Sequence, residues 1–312
     1  MNGKRMNEDT GKMEITTEWI NSFIEEQLRI WELAKKNYSD LASVKRRKII
    51  VGELEIFIQC NPARIISTGA NITDGKAPQR PCFLCERNRP AEQNKYEILP
   101  GWDLLVNPYP ILPVHFTIVN RQHLPQAAVP DDIVAIAERL PGMVVFFNGA
   151  RAGASAPDHL HLQAVLKNEL PLINLAEKIH PSNEPGIKSS SDFGLNLPYL
   201  FFSGVIPPSP AGYPLLMAGL KIGGPDTDGK FIDSELLNSF FWKDDHGVMR
   251  FISIPRIGHR PSCYFAEGDE RYLISPGCID MAGIIITPRE EDFNKLDQTD
   301  LLKIYSEVAV TS

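Results

Sequence analysis

The chain lacks any apolar run approaching the roughly 18–20 residues that a membrane span requires, and its polar stretch Met1–Glu14 has no signal-peptide core. A membrane partner is therefore not expected, and the reading is cytoplasmic. Low-complexity tracts and short-period repeats are also missing. Positive charge is in short supply: 32 Lys and Arg stand against 39 Asp and Glu, a net charge of −7. That balance argues against nucleic acid as main partner. An anionic substrate would then need basic groups clustered locally. Cysteine is scarce and odd in number, with five in all, two of them in Cys82-Phe83-Leu84-Cys85. A disulfide framework does not fit this, whereas a reducing compartment with a metal site or redox pair does.

What is present is an ordinary globular composition, 43% hydrophobic and 23% charged over 312 residues, enough for one large domain or two closely packed smaller ones. Periodicity predicts a helix over 17–38, with Thr17 as N-cap, and a strand over 53–59. Strands follow at 96–99, 102–106, 114–119, 143–147 and 159–166, with helices at 131–140 and 170–180. Beyond a Ser/Pro/Asn-rich connection at 181–192, strands are expected at 195–204, 248–254, 262–266, 272–275 and 282–287, and helices near 231–242 and 298–309. Hairpins with interspersed helices, and no regular βαβ alternation, indicate an α+β fold with mainly antiparallel sheet and flanking helices. The expected division is a tail over 1–14, a first lobe over 15–180 and a second over 181–312. A faint likeness between 112–119 and 282–289 suggests a degenerate duplication.

Cys82 and Cys85 have the two-residue gap at which both thiolates of one loop reach a single zinc. Two further ligands are needed, and His123, just after a strand, and His159 complete a closed tetrahedral set. The bland alternative is two buried thiols in a proline-bounded turn; a redox pair fits less well, because no thioredoxin-like βαβ pattern precedes the motif.

In the run His159-Leu160-His161-Leu162-Gln163 alternate side chains share a face of an extended strand. Leu160 and Leu162 would pack one way, and the two imidazoles and the amide would point the other. Ahead of them, residues 148–158 are mostly small and able to bring backbone amides close to a phosphate. Histidine attacks phosphorus well when one ring nitrogen is held as N–H by a carbonyl and the other is free. Gln163 can donate to a phosphoryl oxygen without ionising, and Ser155 with the amides around Gly153 can do so from the loop. Asn148 could bind ribose or phosphate, and Arg151 is expected to contact phosphate.

The pattern Asn148…Gly153-Ala154-Ser155…Pro157…His159-Leu160-His161-Leu162-Gln163 resembles the signature of the transferase branch of the histidine-triad superfamily, which includes galactose-1-phosphate uridylyltransferase, diadenosine tetraphosphate phosphorylase and the GDP-hexose phosphorylases. The likeness extends upstream through residues 107–119 and covers residues 80–168 well. It implies two histidine-triad-like lobes, His161 as the nucleophile that becomes nucleotidylated, Gln163 as its phosphate-holding partner, and Asn148 and Ser155 as phosphate contacts. It also implies Cys82, Cys85, His123 and His159 as zinc ligands, the set reached from spacing. Leu160 between the histidines is closer to the GDP-hexose phosphorylases than to the uridylyltransferases, which have proline there. The hydrolase branch has a third histidine in place of Gln163. Asp158, between Pro157 and His159, departs from the uridylyltransferase pattern and has no assigned role.

Arg256-Ile257-Gly258-His259-Arg260 is a dense basic segment after a strand, and Arg256, His259 and Arg260 are candidates for contacts to an acceptor or leaving phosphate. Lys45-Arg46-Arg47-Lys48 reads instead as a solvated charge run before a strand. The expectation is a nucleotidyltransferase with a nucleoside diphosphate-hexose or related pyrophosphate donor, a nucleotidyl-histidine intermediate, and phosphate or a sugar 1-phosphate as acceptor. Structural Zn2+ is the expected cofactor, with Mg2+ a further candidate; a dimer is compatible with the sequence. The rival readings are a nucleotide hydrolase and a non-catalytic, zinc-stabilised nucleotide-binding protein.

Overall fold

Strand and helix periodicities resolve into twelve strands and eight helices among the described residues, 15–65, 81–180, 186–206 and 234–311, of this computed structural model. The expected tail over 1–14 lies outside them. The first helical stretch is two helices, α1 (Thr17–Ile30) and α2 (Glu32–Leu41), because Trp31 between them is extended and buried. Its N-cap is Thr16, one residue earlier than expected, whose hydroxyl accepts from the Trp19 amide at 3.2 Å. There follow β1 (Lys45–Val51), β2 (Leu54–Cys60), β3 (Lys95–Leu99), β4 (Trp102–Val106) and β5 (His115–Asn120). Helix α3 (Pro130–Glu138) and strands β6 (Met143–Asn148) and β7 (His161–Leu166) come next, then α4 (Pro171–Ile179), β8 (Ile187–Ser189) and β9 (Phe202–Ile206). The remainder is β10 (Leu237–Lys243), β11 (Met249–Pro255), α5 (Ser262–Phe265), α6 (Cys278–Met281), β12 (Ile284–Thr287), α7 (Glu290–Lys295) and α8 (Gln298–Val308). Helix α8 is closed at its start by a reciprocal capping box between Asp297 and Asp300.

The fold is α+β and mainly antiparallel, as expected. One nine-stranded sheet runs β3-β4-β5-β7-β6-β10-β11-β9-β8, antiparallel at every pairing, and a three-stranded sheet runs β1-β2-β12. Both sheets draw strands from either side of residue 180: β6 pairs with β10, and β2 pairs in parallel with β12. The large sheet is buried on both faces. Met143, Val145, Phe147, Leu162, Ala164 and Phe251 face one core, shared with α1 and α3. Val144, Phe146, Val165, Phe240, Trp242 and Ile252 face the other, shared with the small sheet and the C-terminal helices. Leu160 and Leu162 are both buried in the first core, each stabilising the start of β7 by roughly 2 kcal/mol.

Several expectations are corrected. The stretch expected as a helix near 231–242 is, over its described part, a short 3-10 turn at Ser234–Leu236 followed by the strand β10: Leu237, Asn238, Ser239, Phe240, Phe241 and Trp242 are all buried between two cores, so the sequence lacks the amphipathic stripe of a surface helix for a tertiary reason. Residues 262–265 form a short helix rather than a strand, and 272–275 are irregular. The strand expected over 195–204 is confined to β9. The basic run Lys45–Lys48 is inside β1, at the edge of the small sheet, where long cations suit an unpaired strand edge. Residues 112–119 and 282–289 belong to different sheets, so their likeness does not mark equivalent positions. Among the described residues no helix is long and apolar enough to cross a membrane.

Candidate active site and metal centre

The large sheet turns polar at one end of the face that otherwise carries Val144, Phe146 and Val165. In antiparallel pairs opposed side chains share a face, and the register pairs Thr117 with Gln163, Phe146 with Gln163, and Asn238 with Asn148. Strand β7 starts at His161 rather than at His159. His161 lies opposite Val119 at its head. His159 precedes the strand in a turn, its amide bonded to the Ala156 carbonyl at 3.1 Å, and its ring Nδ1 faces the cysteine loop.

His161 is fully buried, and its Nδ1 lies 2.8 Å from the carbonyl oxygen of His159. A carbonyl only accepts, so Nδ1 carries the hydrogen and the neutral ring has a bare Nε2. That Nε2 is buried and has no hydrogen-bond partner among the described residues. Burial pushes the ring pKa down to about 4, which keeps the lone pair free at neutral pH. Two positions on, the Gln163 Oε1 is 2.8 Å from His115 Nε2.

The four expected metal ligands meet. Cys82 Sγ is 3.2 Å from His159 Nδ1, and Cys85 Sγ is 3.2 Å from His123 Nδ1 and 3.6 Å from His159 Nδ1. All four donor atoms lie within 4.8 Å of one another, and among the described residues they form the one such cluster that could hold a metal ion. The tautomers fit. His159 Nε2 is 2.7 Å from the Asn120 carbonyl, so it carries the hydrogen and Nδ1 faces the thiols bare. His123 Nε2 lies 3.5 Å from the Asp158 carboxylate, which places Asp158 beside the outer nitrogen of that ring. Burial raises the Cys82 thiol pKa, a cost that a cation between two thiolates offsets. The loop is anchored by the buried Asp103 carboxylate, held by Arg89 at 2.9 Å on one side and Arg121 at 2.9 Å on the other. The His159 carbonyl holds the His161 ring, so the cysteine loop and that imidazole share a support.

Gln126 was missed in the sequence. Strands β6 and β7 pair as far as Phe146 and Gln163, and beyond that point the Gln126 carboxamide bridges them. It accepts from the His161 amide at 2.9 Å and donates to the carbonyls of His161 and Asn148 at 2.9 and 2.8 Å. No local signal marks it, because its partners are 22 and 35 residues away.

The β6–β7 loop meets the C-terminal half. Asn148 Oδ1 accepts from the Cys278 amide at 2.7 Å and from Asn238 at 3.0 Å, and its Nδ2 has no partner among the described residues. Gly153 has φ +96°, and a Cβ there would come within 2.6 Å of the Gly277 Cα, so close approach already requires glycine. Ser155 is half-buried, and its hydroxyl has no partner among the described residues. The Arg151 side chain is exposed, while its amide bonds to the Glu235 carbonyl at 2.9 Å. His259 is bonded to the backbone of Arg151, and burial beside Arg260 and Arg256 lowers its pKa to about 4. Arg260 bonds Ser275 at 3.0 Å and stacks on Tyr264. Arg256 is different from what was expected. It is buried, and its guanidinium donates to the carbonyls of Val308, Pro276, Gly258 and His259 and to Asn238 Oδ1. All five of its N–H groups are engaged inside the protein, so it braces Asn238 and, through it, Asn148.

A family model described as "Domain of unknown function (DUF4922)" matches residues 23–166. No curated protein matches the chain. Among solved structures, the chain is similar to yeast Ap4A phosphorylase Apa2 in complex with AMP, with a TM-score of 0.54, 16% identity, and 91% of this chain and 93% of that one covered. The same yeast protein in complex with Ap4A gives a TM-score of 0.52 at 15% identity, covering 90% and 95%. At these identities the likeness shows a shared fold.

Proposed function

We propose that the protein is a nucleotidyltransferase acting on a nucleoside pyrophosphate donor, a nucleoside diphosphate-hexose or a dinucleoside polyphosphate, through a nucleotidyl-histidine at His161. The observation that carries this reading is the His161 ring itself: neutral, buried, tied by Nδ1 to a backbone carbonyl, with a bare and unpartnered Nε2. Burying a lone pair without a partner is costly, and a site for an electrophile explains it.

In the proposed reaction the Nε2 lone pair attacks the donor's α-phosphorus. A P–N bond forms, the P–O bond to the leaving phosphate breaks, and its electron pair departs on that oxygen. The ring, now cationic, is stabilised by its Nδ1–H bond to the His159 carbonyl. Gln163 donates to a non-bridging oxygen, with the Ser155 hydroxyl and the Asn148 amide as further donors. An acceptor oxyanion then attacks the same phosphorus and the P–N bond breaks, so ping-pong kinetics are expected. The fold shared with a phosphorylase that binds AMP and Ap4A supports phosphate as acceptor. Cys82, Cys85, His123 and His159 are read as zinc ligands; the ion would supply rigidity to the head of β7, and Asp158 and the Asn120 carbonyl would hold the outer nitrogens of its histidines.

Incubation with a panel of α-phosphate-labelled UDP-, GDP- and ADP-hexoses and Ap4A tests the proposal. Acid-labile, base-stable label on the wild type and none on His161→Ala is expected. Equal labelling of both overturns it.

A further inference from the structure

Gln163 could present either end of its carboxamide to a bound phosphate, and only the nitrogen end would attract it. We propose that His115 is the positioning residue that makes this choice, holding Gln163 as a donor. The geometry behind this does not depend on the proposed transfer; its kinetic consequence does.

His115 and Gln163 stand on adjacent strands, diagonal to each other, since Thr117 is directly opposite Gln163 and His115 is opposite Val165. A long side chain spans that diagonal. The His115 Nδ1 lies 3.2 Å from the Ile111 amide and accepts its hydrogen. Nδ1 must therefore be bare, and the neutral ring carries its hydrogen on Nε2. Nε2–H then donates to Gln163 Oε1 at 2.8 Å, and the Gln163 nitrogen is the end left over. The opposite arrangement would set an Nδ1–H against the Ile111 N–H inside a buried pocket, donor against donor.

Asn107 removes the other acceptor that Nε2–H might have used. Its Oδ1 accepts from the Tyr109 amide at 2.9 Å, and its Nδ2 donates to Thr117 Oγ1 at 3.1 Å, so it turns a nitrogen, 3.4 Å away, toward His115. The ring is fully buried. Burial and the nearby Arg64 cation hold it neutral, with the pKa down to about 3. His115 stands outside the cluster of Cys82, Cys85, His123 and His159. Its ring serves the opposite end of the catalytic strand, and its tautomer is the reverse of that of His161.

The test uses the full chain labelled with 15N at histidine. At neutral pH the long-range 1H–15N spectrum should show one ring, absent from the spectrum of His115→Gln, with Nε2 protonated and Nδ1 bare. A protonated Nδ1 on that ring overturns the proposal. In kinetics, His115→Met, which keeps bulk and loses the donor, should slow labelling of His161 by about 10- to 100-fold. His115→Gln, whose amide nitrogen can take the place of Nε2–H, should restore it to within a few-fold. Equal rates for wild type and His115→Met also overturn it. If the wild type takes no label from any donor, the transfer reading fails alone, and the tautomer still decides the role of His115.

Discussion

The head of β7 and the loop after β11 both carry histidine in a polar setting, and both were expected to touch substrate, yet they use their polar atoms in opposite ways. At the head of β7 atoms are left over: His161 Nε2 is without a partner among the described residues, and the amide end of Gln163 is turned loose by His115. After β11 the donors are engaged. Arg256 closes five hydrogen bonds within the protein, and Arg260 is bonded to Ser275 and stacked on Tyr264. A residue type suited to phosphate therefore marks a site only where the fold leaves its donors or lone pairs unused.

The contrast can be broken first at the metal loop. Cys82→Ser with Cys85→Ser should abolish metal binding and slow labelling of His161 by at least about 10-fold, because the His159 carbonyl that holds the nucleophile loses its anchor. Metal analysis of protein purified without added zinc checks this; near-zero metal in the wild type would remove the metal from the picture. The second break compares the two regions directly. Arg256→Ala should destabilise the fold by about 3–5 kcal/mol, since it strips partners from buried carbonyls and from Asn238. Ser155→Ala should leave stability within roughly 0.5 kcal/mol while slowing transfer. Urea unfolding and single-turnover labelling separate the two, and an Arg256→Ala that folds normally but binds donor poorly would restore the contact first expected of it.

The smallest effect is in the pH dependence of stability. Unfolded His115 takes a proton near the ordinary value of 6.5, the folded ring only near 3. As pH falls below 6.5 the unfolded state therefore binds more protons and stability declines, levelling off near pH 3. Asp280 runs the other way: burial pushes its folded pKa up to about 6 from 3.8, so its contribution is present below 3.8 and is lost as pH rises through 6. His259, whose folded pKa is down to about 4, adds to the His115 effect, so stability read by thermal melting should fall from pH 6.5 to 4, and fall more steeply in Asp280→Asn, by up to about 1.4 kcal/mol per pH unit. Parallel curves for the two proteins would contradict this.

The first half of the fold was legible because its signals are local. Alternation in β2 and at the head of β7, the proline at the start of α4 and the Cys82–Cys85 spacing need nothing beyond their neighbours in the chain. The second half was not. Strand β10 is apolar on both faces because two cores press on it, and a short buried run of this kind has no period that tells strand from helix. That Cys82, Cys85, His123 and His159 come together was readable from spacing and signature. Gln126, the role of Asp158 and the orientation of Gln163 were not.

Residue order alone sets which groups are available: two thiols and two imidazoles at metal-ligand spacing, a third imidazole two residues beyond, and a neutral amide two further on. Tertiary structure alone decided which atoms of those groups are free. A hydrogen bond is made by partners brought together from 22, 35 or 48 residues apart. The Ile111 amide sets the tautomer of His115, the His159 carbonyl sets that of His161, and the pairing of distant strands leaves one nitrogen of His161 and the amide nitrogen of Gln163 without a partner among the described residues.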